Sequence, residues 1–422
     1  MIPLAWHEIA ALELGRLEGD GDVVTAVKAD SRDVGSGELF VALNTGIRYA
    51  EEARSRGAAT LVPDDQEVAL ATLAALVRSR SGAQVVAVVG SVGKTTTKDI
   101  LGALCAPHVS TIWAERSMNN EIGLPLTVCR LEPDTGVLVT EMGMRGIGQV
   151  AVLCVVARPT VVVVPHVGPE HLELLGSVDR VAEANAEAIA ALPAGGVAVV
   201  PAAGPLDPYL VRDDITIRRF EAGDVQQFDA VTRFSVGNAT IDLELPFTQR
   251  HLVSNTLAAL HAYDALGLPL DRVSEGVPGI VLSPWRGDEI PLPGGGFVVN
   301  DAYNANPDSM RAALEHLAER AGERRKLAIL GEMAELGENA PAYHLAIGEL
   351  AGGLGVAVIG VGEASRAYEP VAWAADAEAA VEEARALIGP GDAVLVKASR
   401  AVGLEGIADE ITNFARAWSL SS

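Results

Sequence analysis

The stretch Gln84-Val-Val-Ala-Val-Val-Gly-Ser-Val-Gly-Lys-Thr-Thr-Thr-Lys98 constrains the fold more than any other. Val85 to Val89 is a β-branched run, suited to a central parallel strand. Gly90 and Gly93 lack a Cβ, so the backbone there can turn sharply and approach a ligand closely. Lys94 supplies a point charge, and Thr95 or Thr96 supplies a hydroxyl for Mg²⁺. The helix expected to follow offers free N–H groups and a positive dipole end. In this order the parts form a cradle for a polyphosphate. The strict phosphate-loop pattern asks for glycine where Val88 stands, so this is a variant of the Gly-x-x-Gly-Lys-Thr-Thr type. A plain glycine turn beside a surface lysine would leave that order of elements unexplained.

A chain of 422 residues is too long for one core and implies two or three domains. It is rich in Ala, Val, Leu and Gly and holds only 4% aromatics, which suits stacked βαβ units better than a β-sandwich. The net charge of -24, without a Lys/Arg cluster, argues against nucleic acid as a partner. An anionic substrate must therefore be held by a few local cations. Cys105, Cys129 and Cys154 lie in apolar surroundings without CxxC spacing and read as buried, reduced thiols. The first residues do not read as a signal peptide. Apolar runs break well before the ~18 residues a membrane helix needs. A cytoplasmic protein with no membrane partner is expected.

Three segments follow. Residues 1–83 read as a small α/β domain in which Ser31 and Arg32 form either a turn or an anion pocket. Residues 84–286 form the nucleotide-binding domain. Glu141 ends the strand Val137-Leu-Val-Thr, and ligands bind at the carboxyl ends of strands in open α/β sheets. A carboxylate there can hold Mg²⁺ directly or through water. His166-Val-Gly-Pro-Glu-His171 follows another buried strand, which puts His171 on the same sheet edge as Glu141 and Lys94. Gly237-Asn238 is the turn of a hairpin over 230–245. His251 and Asn255 sit one turn apart on a helix. From 287 onward, strands alternate with helices as in a Rossmann-like parallel sheet, with a polar cluster, Asp301 to Ser309, at one strand end. No Gly-x-Gly-x-x-Gly fingerprint marks a dinucleotide cofactor. The fold class is α/β in three domains. A central P-loop-type parallel-sheet ATP-binding domain is flanked by a small N-terminal α/β domain and a C-terminal Rossmann-like domain.

Physical chemistry leaves two classes open. One is an ATPase switch; the other is a ligase or kinase that moves the γ-phosphoryl group onto a substrate. Flanking domains and the polar strand end favour the second. The motifs Gly90 to Lys98, Asn119-Asn-Glu-Ile-Gly-Leu-Pro125, Glu141-Met-Gly-Met-Arg-Gly-Ile-Gly148, His171-Leu-Glu-Leu-Leu-Gly-Ser177, Asn300-Asp-Ala-Tyr-Asn-Ala-Asn-Pro-Asp-Ser-Met310 and Leu330-Gly-Glu-Met-Ala-Glu-Leu-Gly337 resemble the Mur ligases over nearly the whole chain. The resemblance implies an ATP- and Mg²⁺-dependent amide ligase of peptidoglycan synthesis that works as a monomer. Its substrates would be UDP-N-acetylmuramoyl-tripeptide and D-alanyl-D-alanine. A related ligase of the folylpolyglutamate synthase kind and a non-ligase ATPase remain the alternatives.

Residue by residue, the resemblance implies catalytic roles for Lys94, His171 and Arg286. It implies Mg²⁺ ligation by Thr95, Glu141 and His171. Nucleotide contacts would come from Gly90, Ser91, Gly93, Lys94, Thr95, Thr96, His251, Asn255, Arg286, Asp301 and Tyr303. Substrate contacts would come from Ser31, Arg32, Asn119, Asn120, Asn304, Lys397, Ser399 and Arg400. Two positions depart from the family pattern. Asn185 stands where a carbamylated lysine is usual, and His166 where asparagine is usual. An asparagine oxygen can ligate Mg²⁺ but brings no charge and cannot be carbamylated, so a second metal is expected either to be held by other groups, such as Glu170 or Glu187, or to bind more weakly.

Overall fold

The computed structural model describes residues 1–19, 21–228 and 230–420. The chain separates into two compact units. One comprises 1–166, 182–246 and 254–281, the other 167–181, 247–253 and 282–422.

The first unit is built on a six-stranded parallel sheet. Its strands, in spatial order, are Thr216–Phe220, Val197–Pro201, Val161–Val163, Gln84–Val88, Val137–Glu141 and Thr111–Trp113. Val85, Val86, Ala87 and Val88 are fully buried, as a strand covered on both faces requires. After Gln84–Val88 the chain fills one side of that strand, then crosses to Val161–Val163 on the other. Such a reversal of strand order opens a crevice at the carboxyl ends, where α/β proteins bind ligands. Helix Lys94–Cys105 leaves that end directly from the glycine loop. A four-stranded sheet, Gly15–Glu18, Ala59–Pro63, Leu39–Val41 and Val27–Lys28, organises residues before 84. The expected hairpin is Thr232–Val236 against Ala239–Leu243, turning at Gly237-Asn238 and extended by Val225–Gln227.

All three cysteines belong to this unit and are buried. Burial pushes each thiol up to about 12.

The second unit carries a six-stranded sheet in the order Asp288–Leu292, Gly296–Asn300, Ala393–Lys397, Lys326–Leu330, Val356–Val361 and Ala372–Ala374. Only the first pair is antiparallel. The late strand Ala393–Lys397 is inserted between two earlier ones, in register with Asn300 through Val396 and with Leu330 through Lys397. This insertion brings the ends of three strands, far apart in sequence, to one edge. Among the described residues, no helix is long and apolar enough to cross a membrane.

Candidate functional site

In the first unit the loop after Gln84–Val88 is held by the protein on several sides. Gly90 has φ +116°, and a Cβ there would lie 2.6 Å from the His166 carbonyl oxygen. Gly93 has φ +85°, and its Cβ would lie 2.4 Å from Asn255 Oδ1. Both glycines are therefore required by conformation and by space. The Ser91 N–H donates to the His166 carbonyl at 2.8 Å. The Gly90 N–H donates to Asn185 Oδ1 at 2.6 Å. The Lys94 ammonium folds back onto the Gly90 carbonyl. Thr95 and Thr96 are buried in the first helical turn, and Thr95 Oγ1 lies 3.4 Å from Ser117 Oγ.

Glu141 ends the neighbouring strand and is 1% exposed. Its Oε1 accepts from Asn119 Nδ2 at 2.7 Å, while its buried Oε2 has no hydrogen-bond partner among the described residues. A buried carboxylate oxygen without a donor is poised for a cation. The Thr95 hydroxyl and Glu141 carboxylate are hard oxygen donors, which fit Mg²⁺. Among the described residues, no group of three or more His, Cys, Asp and Glu forms a metal cage. Asn120 Oδ1 accepts from the Gly123 N–H at 2.9 Å and so opens helix Gly123–Val128.

Sequence reading gave Lys98 no role. It is fully buried and donates to the carbonyls of Ala114 and Arg116 at 2.6 and 2.8 Å, bracing the segment that leads to Ser117. Its signal was the spacing of four from Lys94 on one helix face. Glu187, named as one possible holder of a second metal, is engaged with the backbone. Its carboxylate accepts from the backbone N–H groups of Gly148 and Ala151, at the start of helix Gln149–Ala157. Near residue 31, Ser31 is buried and donates to Glu52 Oε2 at 3.2 Å, while Arg32 is exposed and paired with Asp30.

The second unit gathers its own polar cluster. Lys397 is 2% exposed, and its ammonium donates to Asp301 Oδ2 at 2.5 Å and to the Asn304 carbonyl at 2.9 Å. Ser399 Oγ bonds the Ala334 N–H at 2.9 Å. Arg286 stacks over Tyr303 at 4.0 Å, and Arg400 over Trp285 at 4.6 Å. Trp285 thus completes an arginine–aromatic stack that no motif announced. His251 and Asn255, expected as joint nucleotide contacts, divide. Asn255 lies against Gly93, whereas His251 feels Asp301, Lys397 and His316. Desolvation of the His251 ring lowers its pKa to about 4.

His171 also belongs to the second unit. Its Nδ1 is hydrogen-bonded to Glu335 Oε2, and both residues have left-handed backbones, φ +52° and +61°. Such strain persists only where surrounding contacts over-determine it. Here the Glu173 N–H donates to the Glu335 carbonyl at 3.0 Å. A carboxylate on one imidazole nitrogen fixes the tautomer, and the other, Nε2, lies 3.7 Å from Glu170 Oε1.

Residues 88–263 match the family description "Mur ligase middle domain", and 290–400 match "Mur ligase, glutamate ligase domain". A UDP-N-acetylmuramoyl-tripeptide–D-alanyl-D-alanine ligase of Escherichia coli is 31% identical over 96% of this chain and 98% of its own. The crystal structure of a MurF ligase from Thermotoga maritima in complex with ADP superposes with TM-score 0.80 at 27% identity, covering 93% of this chain and 98% of that one. A MurF structure from Acinetobacter baumannii gives TM-score 0.86 at 24% identity over 97% and 99%.

Proposed function

The chain belongs to the Mur ligase family, and from that premise we propose that it is a UDP-N-acetylmuramoyl-tripeptide–D-alanyl-D-alanine ligase. It forms an amide bond at the expense of ATP. The observation that carries the chemistry is the pairing, at adjacent strand ends, of a lysine-bearing glycine loop with a buried carboxylate that keeps one oxygen without a donor. We assign substrate entry to residues 1–83, nucleotide binding to 84–286 and the remaining contacts to 287–422, and we place the enzyme in the cytoplasm as a monomer.

A carboxylate resists attack by an amine because oxide is a poor leaving group. Transfer of the γ-phosphoryl group of ATP onto the tripeptide's terminal carboxylate makes an acyl phosphate and releases ADP. The amine of D-alanyl-D-alanine then attacks the acyl carbon. Phosphate leaves, and the nitrogen loses a proton as the amide forms. Backbone N–H groups at the start of helix Lys94–Cys105 orient the phosphates, and Lys94 swings from the Gly90 carbonyl to neutralise charge on the transferring group. Thr95 and Glu141 would hold Mg²⁺, with Asn119 fixing the carboxylate. Bound Mg²⁺ supplies charge neutralisation on the phosphate oxygens. In the second unit His171 serves as a metal-ligating imidazole oriented by Glu335. Arg286, Asp301 and Tyr303 serve the nucleotide, and Asn304, Lys397, Ser399 and Arg400 the substrates.

Phosphate release from MgATP with UDP-muramoyl-tripeptide, with and without D-alanyl-D-alanine, tests this reading. Release that requires both substrates and yields a UDP-muramoyl-pentapeptide is expected. Release independent of both would point to an ATPase and overturn it.

A further inference from the structure

Of the two departures from the family pattern, Asn185 meets the nucleotide loop through its side chain, while position 166 meets it through its main-chain carbonyl. The His166 carbonyl accepts from the Ser91 N–H, and the Asn185 amide oxygen accepts from the Gly90 N–H at 2.6 Å. Asn185 is 1% exposed and reaches the loop from helix Val178–Ala190. On the far side of residue 90, the Gly90 carbonyl carries the Lys94 ammonium. The glycine with the most permissive backbone in the loop is thus gripped through its N–H by a side chain 95 residues away.

We propose that Asn185 is a positioning residue for the nucleotide loop, and that this chain turns over without a carbamate at position 185. The proposal rests on reading Gly90 to Thr95 as the nucleotide loop. A glycine at φ +116° has several accessible alternatives, and each one populated lowers apparent affinity by the fraction of loops it removes. A neutral amide acceptor at 2.6 Å confines that residue before nucleotide arrives. The shape of the side chain suits this task. Its oxygen sits two carbons from the helix backbone, close enough to accept from a buried N–H, where a longer lysine would reach past it. The same engagement gives one lone pair of that oxygen to the loop. Position 185 therefore acts through backbone geometry, with no charge of its own to offer a metal.

The test measures ADP affinity by calorimetry at saturating Mg²⁺ on the full chain, and separately the Mg²⁺ concentration for half-maximal turnover at saturating ATP. Asn185→Leu removes the acceptor, and ADP affinity should fall about tenfold, as expected when a buried donor loses its partner. Its Mg²⁺ requirement should not move. Asn185→Asp, which restores an acceptor, should recover the affinity with the same Mg²⁺ requirement. Asn185→Ser, too short to reach Gly90, replaces the leucine variant should that one not fold. Activity of the parent should be equal in bicarbonate-free buffer. If Asn185→Leu binds ADP like the parent, or if the variants instead shift the Mg²⁺ requirement, with aspartate lowering it, position 185 serves the metal and the proposal falls. Lys94→Ala is the control. Lost ADP affinity there upholds the loop reading independently of Asn185, whereas unchanged affinity would overturn that reading and the proposal with it.

Discussion

Around Gly90, Ser91 and Glu141 the first unit uses neutral groups and keeps its buried charge pair, Lys98–Asp99, one turn further along the helix, whereas the second sets full charges against each other at its strand ends. Around the loop, an amide holds Gly90, a carbonyl holds Ser91 and another amide holds Glu141. In the second unit a lysine faces an aspartate, and arginines lie on aromatic faces. Neutral clamps leave one oxygen of Glu141 for what binds, while the Lys94 ammonium rests on the Gly90 carbonyl. Paired charges spend their field on each other and fix geometry instead. A chain with net charge -24 can thus keep a local cation active in one place and lock others elsewhere.

The sharpest way to break this comparison is Lys94→Ala. If the lysine charge is held in reserve for the transferring phosphoryl group, turnover falls by about 10²–10³-fold. The thermal midpoint should barely change, because water can replace the ammonium at the part-buried Gly90 carbonyl. Phosphate release and a melting curve read both. Next comes Asp301→Leu, which leaves the Lys397 ammonium without its anion and should cost about 3 kcal/mol in urea unfolding. Asp301→Leu combined with Lys397→Met should recover part of that loss, because no lone charge is then buried. If the double variant is as unstable as the single one, the pair is not the locking element.

A smaller effect comes from pH. His251 is lowered to about 4 in the folded chain, against 6.5 as the ordinary value. Its folded pKa is depressed, so the unfolded chain binds the proton more readily. Stability is full above about 6.5 and falls as pH drops from there toward about 4. Urea midpoints from pH 7 to 4 should show this slope, and His251→Asn should flatten it. The smallest effect is Asp30→Ala. The Asp30–Arg32 pair is exposed, and its loss should leave the urea midpoint unchanged.

The two regions also differed in how far sequence revealed them. Gln84 to Lys98 was legible because the site there is the backbone itself, and contiguous residues must satisfy it. The Gly237-Asn238 hairpin was legible for the same local reason. In the second unit Asp301 and Lys397 meet because a late strand inserts beside Gly296–Asn300, and strand order is not written in periodicity. The pairing of His171 with Glu335 depends on two left-handed residues 164 positions apart. The edge strand Ala372–Ala374 is too short for an alternating pattern to show. Asn185 was visible as an oddity, but its partner was not, because an asparagine reads alike whether it faces a metal or a peptide N–H. The contact of Glu187 was hidden for the same reason, since a glutamate closing a helix start looks like any other acidic residue.

The placement of the thiols gives the molecule a built-in clock. Cys105, Cys129 and Cys154 all lie in the first unit, buried and held in the unreactive protonated form, and the second unit has none. A thiol reagent can therefore modify the native chain only when the nucleotide-binding sheet and its helices open. The labelling rate reports the breathing of that half alone, without any engineered probe. Comparing it with and without ADP would show how far nucleotide stills that half, while the other half stays silent in the same tube.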